Sequence, residues 1–556
     1  MFKSIKNILI AGAAVICLAG CEDVLVTPPV GSLSPDGYYD SPAHVEQGVL
    51  GVYSKLRDVE VNQYILASEH RSDNVWVDPA PNGIREPSEI AHYRWNNNIQ
   101  GVLSSLWATW YSLIYNANTV LASIDAVEFE DEAVKKQFKG ELHFLRGYAH
   151  FELARAFGNV PVVDHVLSAE ESKTLKQTAA ADVIKGIVIT DLTEAMNLLP
   201  TEDGIKDASG AKIGGQGRAD QIVVKAMLGR VYMTLAGWPY NDATAKATAQ
   251  TYLKAVLDYS SQNGNKYWAP TIKDWHAQFM TDNAISNKYQ IFSIQHTEAT
   301  GSNLPINTCG RTLCGYYKPN GGGVYNLGAE MAATFLHAEM RYLYGENDKR
   351  GKDFIFMDTY PEYQGNPAYS QNMTEFTFDG KKVEVQENSL PTKWVPHWVK
   401  REAVGIKYDD SAITYWPMNF PVLRLEDIML LYAECIVSSD VAGAMGYVNK
   451  IRERAGVELV PTNASAADAL KYIKRERKLE LFMEGIRWFD QIRYGEWMET
   501  TKASMNTYLN SDNATYKTTL SIDNVSEGRY LLSIPQSEMR AVPGLYVQNK
   551  GWENYS

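Results

Sequence analysis

IKRERKLELFMEGIRWFDQIRY, residues 473–494, decides how the rest of this chain is read. Leu479, Phe482, Met483, Ile486 and Phe489 recur at three- and four-residue steps, which predicts one apolar face of a helix. Glu476, Glu480 and Glu484 form a second stripe, each one turn above the last. Like charges at that spacing repel by roughly 0.2–0.5 kcal/mol per pair, so cations must sit among them. Arg477 and Arg487 lie three residues from Glu480 and Glu484, and Arg493, Arg452 or Arg454 can supply the remainder. Three aligned carboxylates also suit a metal or catalytic site, but the interleaved arginines would neutralise them. An ion-pair lattice joining helices is the better reading. Gly485 interrupts the pattern at a cost of about 1 kcal/mol against alanine, so a close packing approach or the helix end is expected there.

At the amino terminus Lys3 and Lys6 precede an apolar run from Ile8 to Leu18, then Leu18-Ala19-Gly20-Cys21. That is the layout of an export signal over residues 1–20, and the run is shorter than the roughly 20 residues a spanning helix needs. Leu-Ala-Gly-Cys matches a lipobox, so Cys21 is expected to carry lipid and anchor the chain to a membrane. Pro28 and Pro29 suit an extended tether.

The remainder reads as a globular body. A formal charge of −13 disfavours nucleic acid as a partner, which needs basic patches. The 33 Tyr and 13 Trp are enough for a core with aromatics left over for stacking. Five cysteines do not make a disulfide scaffold. Cys435 sits in an apolar helical run and reads as a buried thiol, while Cys309 and Cys314 leave a local disulfide and two free thiols both open.

Helical periodicity runs through His44–Leu56, Leu103–Ile124, Val134–Phe157, Ala181–Leu199, Ala219–Ala236 and Thr248–Ser260, with a polar insertion at Thr201–Gly217. Small residues (Ala149, Ala154, Ala226, Gly229, Ala236) fall where facing helices would approach closely. From 261 to 420 Gly, Asn, Pro and aromatics accumulate and periodicity weakens, except at Ala329–Tyr344; short strands are expected at Tyr289–Ile294 and Phe376–Phe378. Helices resume at Leu423–Ser438, Val441–Ala455 and Ala466–Gly485. The predicted fold is mainly α: a tetratricopeptide-like helical-repeat bundle, without a strict repeat of roughly 34 residues, carrying an irregular loop-rich inserted subdomain. The divisions expected are 1–20, 21–260, 261–420 and 421–556.

Several separated motifs then carry a family resemblance. Glu476-Arg477, Glu480-Leu481, Glu484-Gly485, Arg487, Asp490 and Arg493 resemble the E-R-x-x-E-L-x-x-E-G-x-R-x-x-D-x-x-R pattern of SusD-like (RagB/SusD) proteins. Trp107, Tyr111 and Asn116-Ala117-Asn118 resemble a second family helix, and Glu141 through Pro161 a third element, with Gly147 where Ala is usual. Leu423–Glu434, Val448–Gly456 and the closing Ile534-Pro535, Glu538, Gln548-Asn549 and Gly551-Trp552 follow in the family's order. The resemblance implies a nutrient-binding outer-membrane lipoprotein that takes up a glycan and passes it to a SusC-type TonB-dependent transporter. It implies a ligand surface drawn from Asp73, Asn74, Trp76, Arg85 and Trp95, and from Trp275, Arg311, Tyr316 and Tyr317. For each aromatic the alternative is a packing role.

No enzyme motif competes. His150-Phe151-Glu152-Leu153-Ala154 lacks the second His of a zinc motif, Gly321-Gly322-Gly323 has no following Lys, and no Gly-x-Ser-x-Gly occurs. No cofactor and no metal are expected. The rival readings are a repeat scaffold that binds only proteins and a surface glycosidase, whose two carboxylates sequence alone does not reveal.

Overall fold

Ser41 starts the first long helix. Its hydroxyl accepts from the His44 N–H, and Pro42 fills the first turn, where no N–H is needed. The computed structural model describes residues 35–79, 86–94, 97–215, 217–279, 287–296, 334–351, 354–357, 373–378, 380–386, 389–391, 393–394, 418–510 and 514–555. The lipobox cysteine, Cys309 and Cys314 lie outside them. Among these residues no helix is long and apolar enough to cross a membrane.

The helices are α1 (Pro42–Glu60), α2 (Asn97–Ser123), α3 (Glu132–Phe157), α4 (Ile189–Leu198), α5 (Gln221–Ala236), α6 (Ala245–Gln262), α7 (Leu425–Ile436), α8 (Val441–Ala455), α9 (Ala466–Glu480), α10 (Arg487–Arg493) and α11 (Trp497–Leu509). From α1 to α9 each packs on the next in sequence order, so the chain builds one serial array of helix pairs. The array is not interrupted by the long stretch between α6 and α7, because α6 packs directly on α7. Val45, Val49, Val52, Leu56 and Val59 form the buried stripe of α1 at alternating four- and three-residue steps. α3 is buried almost all round from Gly140 onward, as befits a central helix. Gly229 of α5 permits close approach: a Cβ there would lie 2.5 Å from Leu253 Cδ2 of α6. Cys435 in α7 is a buried thiol 3.4 Å from Met233 Sδ, and burial pushes it up to about 12.

The described strands of three or more residues are β1 (Val75–Val77), β2 (Gln290–Ile294), β3 (Thr334–Leu336), β4 (Met373–Phe378), β5 (Lys381–Gln386) and β6 (Phe420–Arg424). All pair in antiparallel two-stranded ribbons: β1 with β3, β2 with β6, β4 with β5. The β2–β6 ribbon brings the entry and the exit of the inserted region side by side, with Phe420 opposite Ile294. β6 then runs straight into α7. A second core of aromatics, including Trp76, Tyr93, Phe335, Trp488, Trp497 and Tyr508, joins the insertion to the carboxy-terminal helices.

Two expectations are corrected here. The helix expected to run from Ala466 to Gly485 stops at Glu480, and Met483 (φ 58°) and Gly485 (φ 70°) turn the chain before α10 begins. The apolar periodicity continued because the turn is itself buried. Gly485 serves the close approach: a Cβ would lie 2.7 Å from Tyr64 Cδ1. The periodic stretch ending at Tyr344 is split among described residues into β3 and a short helix, Ala338–Tyr344.

Candidate ligand-binding site and the charge lattice beneath it

The three glutamates are buried in a lattice of cations. Glu476 accepts from Arg350 Nη1 at 2.7 Å and Arg452 Nη1 at 2.9 Å. Glu480 accepts from Arg350 at 2.9 Å, Arg454 at 2.7 Å, Arg424 at 3.2 Å and the Trp275 indole N–H at 2.6 Å. Arg424 grips Glu484 with two nitrogens at 2.8 Å, and Lys393 donates to the same carboxylate. Burial alone would raise the Glu480 carboxyl, but Arg454, Arg424 and Arg350 outweigh it and hold it well below the usual range. Burial pushes the Lys393 ammonium down to about 8 despite Glu484.

Arg452 and Arg454 act as the sequence suggested. Arg477, Arg487 and Arg493 serve elsewhere: Arg477 binds Asp490 and Asp427, Arg493 binds Glu434 and Asp490, and Arg487 binds Asp73. Sequence reasoning missed Arg350, Lys393 and Arg424, two from the insertion and one from its exit strand. The available signal was Arg424 itself, a charge ending the apolar run Phe420-Pro421-Val422-Leu423 and 1% exposed. The lattice therefore fastens the insertion to the array.

The residues expected to meet a ligand divide into two groups. Asp73 is 4% exposed and lies between Arg487 at 2.7 Å and Lys478 at 2.8 Å. Burial favours its neutral form, but those two cations outweigh it and hold the carboxyl well below its ordinary range. Asn74 is wholly buried and donates to Glu69 at 2.8 Å. Trp76 is stacked on Tyr508 with ring centres 3.6 Å apart, and Trp275 is 0% exposed against Glu480. These four side chains are packed and paired inside the protein and present no open face. An exposed ligand surface is therefore not what they form. Trp275 sits in the lattice, its indole N–H on Glu480. The second group, Arg85, Trp95, Arg311, Tyr316 and Tyr317, lies outside the described residues.

The positions where the chain departs toward that second group are informative. Val77, last residue of β1, is the Cα partner of Thr334, first residue of β3. The chain passes from Val77 through Pro79 toward 80–85, and returns from 331–333 at Thr334. His92 shares a hydrogen bond of 2.8 Å with the Val77 carbonyl, and Arg94 donates to the Pro79 carbonyl at 2.8 Å. Arg94 immediately precedes 95–96. One end of the β1–β3 ribbon thus gathers the roots of two neighbouring segments, 80–85 and 95–96, and of a third, 331–333, far from both in sequence. No group of three or more His, Cys, Asp or Glu able to hold a metal occurs among the described residues.

A serial array of helix pairs carrying a stapled, loop-rich insertion defines a class of tetratricopeptide-like shell. Residues 239–552 match the family model described as the SusD family, and residues 31–233 match one described as starch-binding associating with outer membrane. The chain belongs to the SusD family. Among curated proteins it is 23% identical to SusD-like protein P25 of Formosa agariphila, over 88% of this chain and 90% of that protein. A SusD homologue from Bacteroides thetaiotaomicron superposes with a TM-score of 0.73 at 20% identity, covering 94% of this chain and 99% of the other. Surface glycan-binding protein A from Bacteroides fluxus superposes at 0.66 with 18% identity, covering 92% and 100%. The family is one of outer-membrane-associated, carbohydrate-binding proteins.

Proposed function

We propose that this chain binds an oligosaccharide at the end of the β1–β3 ribbon and passes it to a SusC-type TonB-dependent transporter, held at the outer membrane by lipid on Cys21. The pairing of Val77 with Thr334 carries the reading, because it sets the roots of 80–85, 95–96 and 331–333 side by side. Arg85, Trp95, Arg311, Tyr316 and Tyr317 belong to those segments and to the stretch leading into the last. They supply the apolar ring faces and hydrogen-bond donors that a pyranose needs. The reading is of a binding protein and not an enzyme.

Isothermal titration of the mature chain against plant, fungal and host glycans tests it. Trp95→Ala, Tyr316→Ala and Tyr317→Ala should each weaken the best glycan at least several-fold while leaving the melting temperature nearly unchanged. Trp76→Ala and Trp275→Ala should instead lower the melting temperature, since their rings are core. Parental affinity in all three loop variants would place the site elsewhere. Cleaved glycan in the cell would support a glycosidase instead.

A further inference from the structure

Ten arginines among the described residues are buried, and nine of them rest on a carboxylate. Arg71 does not. It is 3% exposed, and one of its terminal nitrogens donates to the Arg529 carbonyl. Its guanidinium lies 4.4 Å from the Trp488 ring centre and 5.2 Å from that of Tyr93. Burial lowers its proton affinity, and among the described residues the Tyr93 phenol opposes this. A buried cation without a counter-charge is costly, and proteins pair such charges or bind an ion.

Arg71 lines a cavity of about 20 Å³, together with Glu89, Tyr93, Arg94, Ser533 and Trp552 and a collar of Ile90, Ile99, Leu103 and Leu532. That is room for one water-sized or halide-sized particle. The Ser533 hydroxyl is buried there with no hydrogen-bond partner. The one carboxylate in the wall, Glu89, is already matched by Arg94 at 2.9 Å. Arg529, next to the cavity, adds a second guanidinium whose hydrogen bonds go to the carbonyls of Gly551, Tyr93 and Asn524. Glu553, which Arg529 also attracts, offsets that second charge, and the excess that remains is the one on Arg71.

We propose that this cavity is a binding site for a small monovalent anion of halide size, held by the Arg71 guanidinium and the Ser533 hydroxyl. The ion supplies the missing counter-charge where the Glu69–Arg71 turn, α2 and the carboxy-terminal segment around Leu532 meet. The site uses none of the proposed glycan contacts, and its test reads melting and an anomalous signal rather than glycan affinity.

The test compares melting of the full mature chain in sodium chloride and in sodium gluconate at matched ionic strength. A ligand that binds only the folded state stabilises in proportion to ln(1 + [L]/Kd), so the melting temperature should stay level at low chloride and then climb by a constant increment per tenfold of chloride once the concentration exceeds Kd. Crystals soaked in bromide should give an anomalous peak within hydrogen-bonding reach of Arg71. Ser533→Ala keeps the buried shape and should shift the onset of the chloride-dependent rise to a several-fold higher concentration; Arg71→Met should abolish the chloride response. If Arg71→Met does not fold, the Ser533→Ala shift and the bromide peak decide. Equal melting in the two salts, a chloride response unchanged in Ser533→Ala, or a cavity holding only water in the bromide crystal would each overturn the proposal.

Discussion

Glu480 accepts from Arg350, Arg424, Arg454 and Trp275 at once, all of them buried. Removing it leaves three guanidinium groups short of charge in a place water does not reach. Glu480→Ala is therefore expected to lose roughly 3–5 kcal/mol of stability in urea unfolding. Glu375→Ala, which breaks an exposed pair with Lys382, should change nothing measurable. Glu69 behaves in the opposite way. Burial raises its carboxyl to about 7, although Asn74 and the Gly485 N–H donate to it and Lys393 lies nearby. A folded-state value above the unfolded one gives stability that is complete in acid and is lost as pH rises through about 7. Glu69→Gln should remove that loss, giving a flatter melting temperature than the parent across the window between the ordinary value of 4.5 and about 7. The Asn74 Oδ1 has no partner, so a flipped Asn74 amide can accept from the new glutamine. A curve as steep as the parent's would show that Glu69 is ionised throughout.

Between α9 and α10 the chain turns through Met483 and Gly485, both at positive φ. Gly485→Ala pays roughly 1–2 kcal/mol for the left-handed backbone and, against the Tyr64 backbone and ring, about 1–3 kcal/mol more for overpacking. A loss of this size by urea titration, with glycan affinity intact in the folded fraction, is the expected result. How legible such elements were depends on what marks their ends. α8 was readable to the residue because Asp440 caps its start and Gly456, at φ 73°, its finish. The end of α9 was not, since Phe482 and Met483 are buried by tertiary packing that keeps helical spacing in a turn. The same limit applies to the candidate site. Asp73, Trp76 and Trp275 have the chemistry of ligand contacts, but Arg487, Tyr508 and Glu480, each more than two hundred positions away in the chain, claim them. Local sequence carries no trace of those partners. The ribbon from which the loops depart is a register of Val77 on Thr334, which no local pattern encodes.

For the molecule as a whole, the lipid proposed on Cys21 is what would attach an acidic body among whose described residues no helix is long and apolar enough to cross a membrane. Cys21→Ala, expressed without the transporter, should move from the membrane fraction to the soluble one. Persistence in the membrane fraction would require another anchor. The β2–β6 ribbon has a consequence at this scale too. Because the insertion enters and leaves through neighbouring strands, the helical array closes on itself without it, α6 on α7. Divergence in the intervening loops is thereby uncoupled from the architecture that displays them. On the proposed function, a lineage can exchange what it recognises as one exchanges a bit in a drill chuck, provided each replacement retains cations where Arg350 and Lys393 now grip the shell.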